Sequence, residues 1–266
     1  MTTRDKPFAP GTPCWVDLAS SDLERSNAFY QGLFGWDAEA SGDEYGNYVM
    51  YSSDGHSVAG AMPKQPGMDF PDTWTTYIST ADCAATEAAA TSAGAQVMMN
   101  TMPVGDVGTM AVLGDPVGAV FGIWQAGQHT GFGKYNEPGS VTWDEHHSKD
   151  FPTSKSFYGT VFGWELDPMS DTDEFRYVIA KVDGESVAGM MDSSSFLPAE
   201  VPSHWAVYFS VADADAAASK VTELGGTVVR PPEDTPFGRI ADVTDPTGAM
   251  FRLHQDTTND DAQAGG

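Results

Sequence analysis

The chain has 266 residues, of which 41% are hydrophobic, and its 13 Lys and Arg stand against 38 Asp and Glu for a formal net charge of −25 at pH 7. Length and apolar content allow about two domains with real cores. The acidity opposes nucleic acid, anionic membrane surfaces and large anionic substrates, each of which would approach a repelling field.

Residues 1–10 are polar and unlike a secretion signal, and no stretch nears the ~18 apolar residues of a spanning helix. A soluble, cytoplasmic protein is expected. Cys14 has Thr142 and Cys83 has Ala214 at the matching place in the second half. Two separate buried thiols are therefore expected rather than a disulfide.

Residues 11–19 predict a strand. Ser21 or Asp22 then caps a helix that runs to about Phe34, with Ser21 and Glu24 at capping-box spacing. Within S-N-A-F-Y-Q-G-L-F-G-W, Ser26 to Trp36, the residues Phe29, Leu33 and Phe34 gather on one apolar face, and Gly35 supplies the left-handed exit. Short strands follow at 36–38, 48–52 and 57–62, then a linker at 63–72 containing three prolines. The pattern restarts with a strand at 74–79, a helix from Asp82 to Gly94, and strands near 96–101, 107–113 and 119–125. A glycine-rich junction, 127–139, leads into a second half that repeats all of this. There S-K-S-F-Y-G-T-V-F-G-W, Ser154 to Trp164, restates the first phrase, and Trp143, Tyr177, Trp205 and Asp245 match Trp15, Tyr48, Trp74 and Asp115. Such a repeat implies shared architecture with length changes confined to turns.

The phrases D-L-E-R-S-N-A-F-Y-Q-G-L-F-G-W (Asp22 to Trp36), D-F-P-T-S-K-S-F-Y-G-T-V-F-G-W (Asp150 to Trp164) and G-G-T-V-V-R-P-P (Gly225 to Pro232) carry a family likeness, as do D-P-V-G-A-V-F at 115–121 and D-P-T-G-A-M-F at 245–251. Together they resemble the glyoxalase, bleomycin-resistance and extradiol-dioxygenase (vicinal oxygen chelate) superfamily, above all its double-domain actinobacterial members labelled glyoxalase-like or hydroxylase. The resemblance implies an α+β fold of four βαβββ modules, paired into two similar glyoxalase-like domains at 11–127 and 138–255, each enclosing a cup. A flexible tail is expected at 256–266. The metal-ligand positions of the family fall here on Trp15, Gly122, Trp143 and Arg252, none of which is a usual ligand. No cofactor is therefore predicted, while a divalent metal held by other residues of the second domain stays open.

Strand alternation turns Trp15 and Asp17 into the first cup, with Tyr77 and Trp124 beside them. This lining suits a flat or apolar ligand with one polar handle, or else it fills the cup as core. The same parity puts Trp143, Glu145, His147, His204, Tyr208, Arg252 and His254 in the second cup. Three chemistries compete there: a hydrogen-bonded pocket in which Arg252 holds a carboxylate, a Glu145 base relayed by His147 or His204, and a relocated metal site. Arg239 could add to the first of these. Asp144 and His146 stand where the first half has helix-facing Val16 and Leu18. Either they pair with each other or with another helix-side group, or the register is off by one.

The leading expectation is a binder of a small apolar or aromatic metabolite. The alternatives are an enzyme (lyase, isomerase or oxygenase/hydroxylase) acting on a small carbonyl or aromatic compound, and a structural or protein-interaction role. The expected partner is a small-molecule ligand, bound by a monomer or homodimer, with neither nucleic acid nor membrane involved.

Overall fold

A computed structural model describes residues 3–42 and 45–257; the expected tail lies outside the described residues from 258 onward. The first half runs β1 (Pro13–Ser20), α1 (Leu23–Phe34), β2 (Asp37–Ala40), β3 (Val49–Ser53), β4 (His56–Pro63), β5 (Thr73–Ser79), α2 (Cys83–Ser92), β6 (Gln96–Val104), β7 (Gly108–Gly114) and β8 (Val120–Ala126). The second repeats it as β9 (Val141–Ser148), α3 (Phe151–Phe162), β10 (Glu165–Asp171), β11 (Arg176–Val182), β12 (Glu185–Asp192), β13 (His204–Ser210), α4 (Ala214–Glu223), β14 (Thr227–Thr235), β15 (Gly238–Thr244) and β16 (Met250–Gln255).

All four helices start alike. Asp22, Asp82, Asp150 and Asp213 each accept a backbone N–H three residues on, satisfying a donor the first turn leaves orphaned. Of the two candidates for the first cap, Asp22 is the one used, because Ser21 turns to Asp72 through both its backbone N–H and its hydroxyl. Gly35 and Gly163 end α1 and α3 at φ 71 and 67.

Each half forms one eight-stranded sheet, in the orders β2-β3-β4-β1-β5-β8-β7-β6 and β10-β11-β12-β9-β13-β16-β15-β14. The central joint is antiparallel, β1 to β5 and β9 to β13, so the two modules of a half become one curved surface. Among the described residues no helix is long and apolar enough to cross a membrane. Cys14 and Cys83 are both free and buried.

The helices lie between the halves. α1 meets α4, and α2 meets α3. The two cores therefore cross the repeat: Tyr30, Phe34 and Trp36 pack with Phe209 and Phe251, while Phe121 packs with Phe157, Tyr158 and Phe162. An apolar face too wide for its own module is covered by the other half.

Polar bonds fix this docking. Asp245 accepts the hydroxyls of Ser26 and Tyr30 at 3.2 and 3.3 Å. Asp115 takes Tyr158 at 3.0 Å and His146 at 2.8 Å. Asp144 accepts the Thr76 hydroxyl at 2.6 Å. The odd pair Asp144 and His146 thus sits on the helix side as the alternation implied, with partners in the opposite half rather than in each other. The register is not shifted.

Candidate functional site

The second cup has Glu145 at its floor. Oε1 accepts the Tyr208 hydroxyl at 2.8 Å and Arg252 Nη1 at 3.1 Å, and Oε2 accepts the Tyr177 hydroxyl at 2.8 Å. His147 Nε2 lies 2.8 Å from Oε1, off the line of an aligned hydrogen bond. Burial alone would raise this carboxylate, yet the His147, Arg252 and Tyr208 groups outweigh it and hold Glu145 at about 2. Held that low, it is a fixed anion and a poor base near neutral pH.

Burial holds His147 below its ordinary value, against the pull of Glu145. Its Nδ1 lies 3.0 Å from the Ser193 hydroxyl. His204 stacks on His147 with centroids 5.0 Å apart and donates from Nδ1 to the Pro202 carbonyl. It is not among the residues that line the cavity, and burial drops it to about 4.

Above the floor opens a cavity of about 850 Å³. Trp143, Glu145, His147, Tyr208, Arg252 and His254 all line it, so six of the seven residues assigned to this cup share one space. Sequence reasoning missed the aromatic mouth. Phe175 stacks on Tyr177 at 5.7 Å and 20°, and Tyr177 on Phe237 at 6.3 Å and 18°. Phe196 and Phe237 are exposed. It also missed Arg230 and Asp242, which line the same cavity. Alternation along residues 176–182 would have found Tyr177, whereas Phe196 and Phe237 come from loops that carry no such signal. Arg239 is spent elsewhere, on Asp215 and Asp234.

Arg252 was expected to hold a carboxylate of the ligand. The carboxylates it holds belong to the chain: Glu145 through Nη1, and Asp242 through Nε at 2.9 Å. It also donates to Tyr208, over whose ring its guanidinium sits 4.9 Å from the centroid.

The first cup has the same floor and a different fate. Trp15 Nε1 donates to Tyr48 at 2.8 Å, as Trp143 does to Tyr177 at 3.1 Å, and Tyr77 donates to Asp17. The linker then doubles back over it. His129 packs edge-on to Trp15 at 4.4 Å and to Trp124 at 5.5 Å, its carbonyl accepts Trp124 Nε1, and Phe132 lies 5.5 Å from Trp15. Trp15 and Trp124 thus meet the chain's own linker. The contacts favour the core-filling reading of these side chains.

The family's metal does not fit the residues present. Trp15, Gly122 and Trp143 offer no side-chain donor suited to a metal, Arg252 is a cation already paired, and Glu145 is engaged by Tyr177, Tyr208 and Arg252. No group of three or more His, Cys, Asp or Glu among the described residues is arranged to hold a metal ion.

The profile of the Glyoxalase/Bleomycin resistance protein/Dioxygenase superfamily matches residues 14–123 and 147–253. "Putative glyoxylase CFP32" of Mycobacterium tuberculosis (strain CDC 1551 / Oshkosh) is 38% identical over 251 residues, covering 92% of this chain and 95% of the relative. "Anthracycline biosynthesis protein DauV" of Streptomyces sp. (strain C5) is 39% identical over 264 residues, covering 92% and 94%. In fold, the chain resembles the Mn(II)-bound glyoxalase from Novosphingobium aromaticivorans, with a TM-score of 0.65 at 13% identity over 92% of this chain and 82% of that one. The 2,3-dioxygenase LapB from Pseudomonas sp. KL28 gives 0.63 at 14% identity over 95% and 93%.

Proposed function

The chain belongs to the Glyoxalase/Bleomycin resistance protein/Dioxygenase superfamily, and from that premise we propose that its second cup binds a small planar aromatic metabolite without the help of a metal. The observation that carries this is the 850 Å³ cavity with near-parallel rings at its mouth. The exposed aromatic surface of Phe237 at the end of that stack favours a flat, apolar partner, and the cavity volume is in the usual range for a small-molecule site. The anthracycline relative adds support, since fused planar rings are the core of an anthracycline. A Glu145-based acid–base reaction loses support, because Tyr177, Tyr208 and Arg252 hold that carboxylate as an anion at about 2, too weak a base near neutral pH.

Titration calorimetry with 2-(hydroxymethyl)anthraquinone tests the reading. A dissociation constant on the order of micromolar is expected, with Trp143 fluorescence changing on binding and the affinity unmoved by dialysis against a chelator. Phe237→Ala should weaken it roughly tenfold by removing one face of the mouth. Absence of binding up to the solubility of the quinone sinks the reading. Binding that ignores Phe237→Ala moves the site away from the second cup.

A further inference from the structure

The second cup carries two arginines and two carboxylates, and every charge is already matched within the chain. Arg252 bonds Glu145 at 3.1 Å and Asp242 at 2.9 Å. Arg230 grips the same Asp242 through Nε at 3.1 Å and Nη2 at 3.2 Å. Burial holds His147, the neighbouring imidazole, below its ordinary value. Yet Arg252 Nη2 and Arg230 Nη1 have no hydrogen-bond partner among the described residues, on side chains that both line the cavity. The cup thus offers N–H donors without an uncompensated positive charge.

That combination discriminates between ligands of one shape. An anion entering the cup would add an unmatched charge to a partly desolvated space inside a chain of net charge −25. A carbonyl oxygen would accept the same N–H donors without that cost. The first cup follows the same rule of charge balance. Gly122 stands there in the place of Arg252, no cation among the described residues is paired with the acid, and burial pushes Asp17 up to about 7, toward its neutral form.

We propose that the second cup selects uncharged planar aromatic ketones and quinones over carboxylate or sulfonate counterparts of the same shape. This rests on the aromatic-ligand reading above and specifies its chemical class.

The test compares 2-(hydroxymethyl)anthraquinone with anthraquinone-2-carboxylate, two ligands of nearly equal size that differ by one charge. At pH 7 the neutral quinone should bind about tenfold more tightly. Asp242→Asn leaves one positive charge unmatched at nearly unchanged shape, so the carboxylate should gain about tenfold relative to the neutral ligand. Equal or tighter binding of the carboxylate by the unaltered chain overturns the proposal while leaving the aromatic reading intact. A selectivity ratio that ignores Asp242→Asn overturns it as well. If neither quinone binds, the aromatic reading fails and takes this inference with it.

Discussion

Gly122 and Arg252 hold the same place in the two halves, each opposite a tyrosine on the adjacent parallel strand: Gly122 pairs with Tyr77, and Arg252 with Tyr208. A side chain at Gly122 would run into the Tyr77 ring, whereas Arg252 extends over Tyr208 to reach Glu145. One acid is thereby left without a cation and the other gains one. Asp17 is driven up to about 7 and Glu145 down to about 2. The two cups should respond to pH in opposite directions.

For Asp17 the native state holds a proton that the unfolded chain releases near 3.8. Its contribution to stability is full below that value and is lost as pH rises through about 7. Asp144, raised to about 7 by burial against its Thr76 bond, follows the same sign. Asp17→Asn and Asp144→Asn remove a group that must ionise in a buried place. Between pH 4.5 and 8 each variant should lose less stability than the unaltered chain, by on the order of 2 kcal/mol. Urea midpoints at the two pH values measure this, and parallel curves for variant and parent would refute it.

Glu145 works the other way. Its pKa is lowered from 4.5, so its contribution is present above 4.5 and lost as pH falls toward about 2. Glu145→Gln should flatten the acid limb of the stability curve. At pH 7 it should cost about 3 kcal/mol, since Arg252 keeps only Asp242 as a buried counter-charge. Acid titration followed by circular dichroism gives the first, and urea unfolding the second. An unchanged acid limb would mean that Glu145 is not the anion described.

The linker's grip on the first cup is measurable by contrast with the second. Phe132, in the linker, is 3% exposed, and Phe237 is 45% exposed at the open mouth. Phe132→Ala should destabilise by about 3 kcal/mol, as large-to-small changes in a packed core do. Phe237→Ala should stay within about 0.5 kcal/mol. Equal costs would show that the linker does not fill the first cup.

Much of this was legible in the sequence, because it rests on local rules. The Asp caps, the exits at Gly35 and Gly163 and the period-two alternation of 141–148 need only neighbouring residues. The direction in which the helices face depends on which apolar surfaces find each other across the repeat, and no local pattern encodes that. The same holds for the site. Glu145, His147 and Arg252 could be placed on one side of a sheet, but their charge balance with Asp242 and Arg230 forms between strands far apart in the chain. The plug at His129 lies in a segment whose glycines read as a plain linker, and its fit depends on the finished cup.

The repeated phrase makes one further prediction, in which the two halves should differ. Tyr30 and Tyr158 are the same residue of that phrase, and each sends its hydroxyl across the molecule to the aspartate of a D-P-x-G turn while accepting a tryptophan N–H from its own half. Asp245 receives Tyr30 at 3.3 Å with Ser26 as a second donor, while Asp115 receives Tyr158 at 3.0 Å together with His146 at 2.8 Å. Replacing tyrosine by phenylalanine removes the hydroxyl and leaves both an aspartate oxygen and a tryptophan N–H short of one partner. The Tyr158 bond is the shorter and belongs to a network that includes a buried imidazole, so Tyr158→Phe should cost about 2 kcal/mol and Tyr30→Phe about 1 kcal/mol. The sites lie in separate cores, so the double variant should cost the sum. Urea unfolding of the two single variants and the double decides the matter. A reversed order, or a double variant far from additive, would show that the two docking contacts do not act as separate clamps.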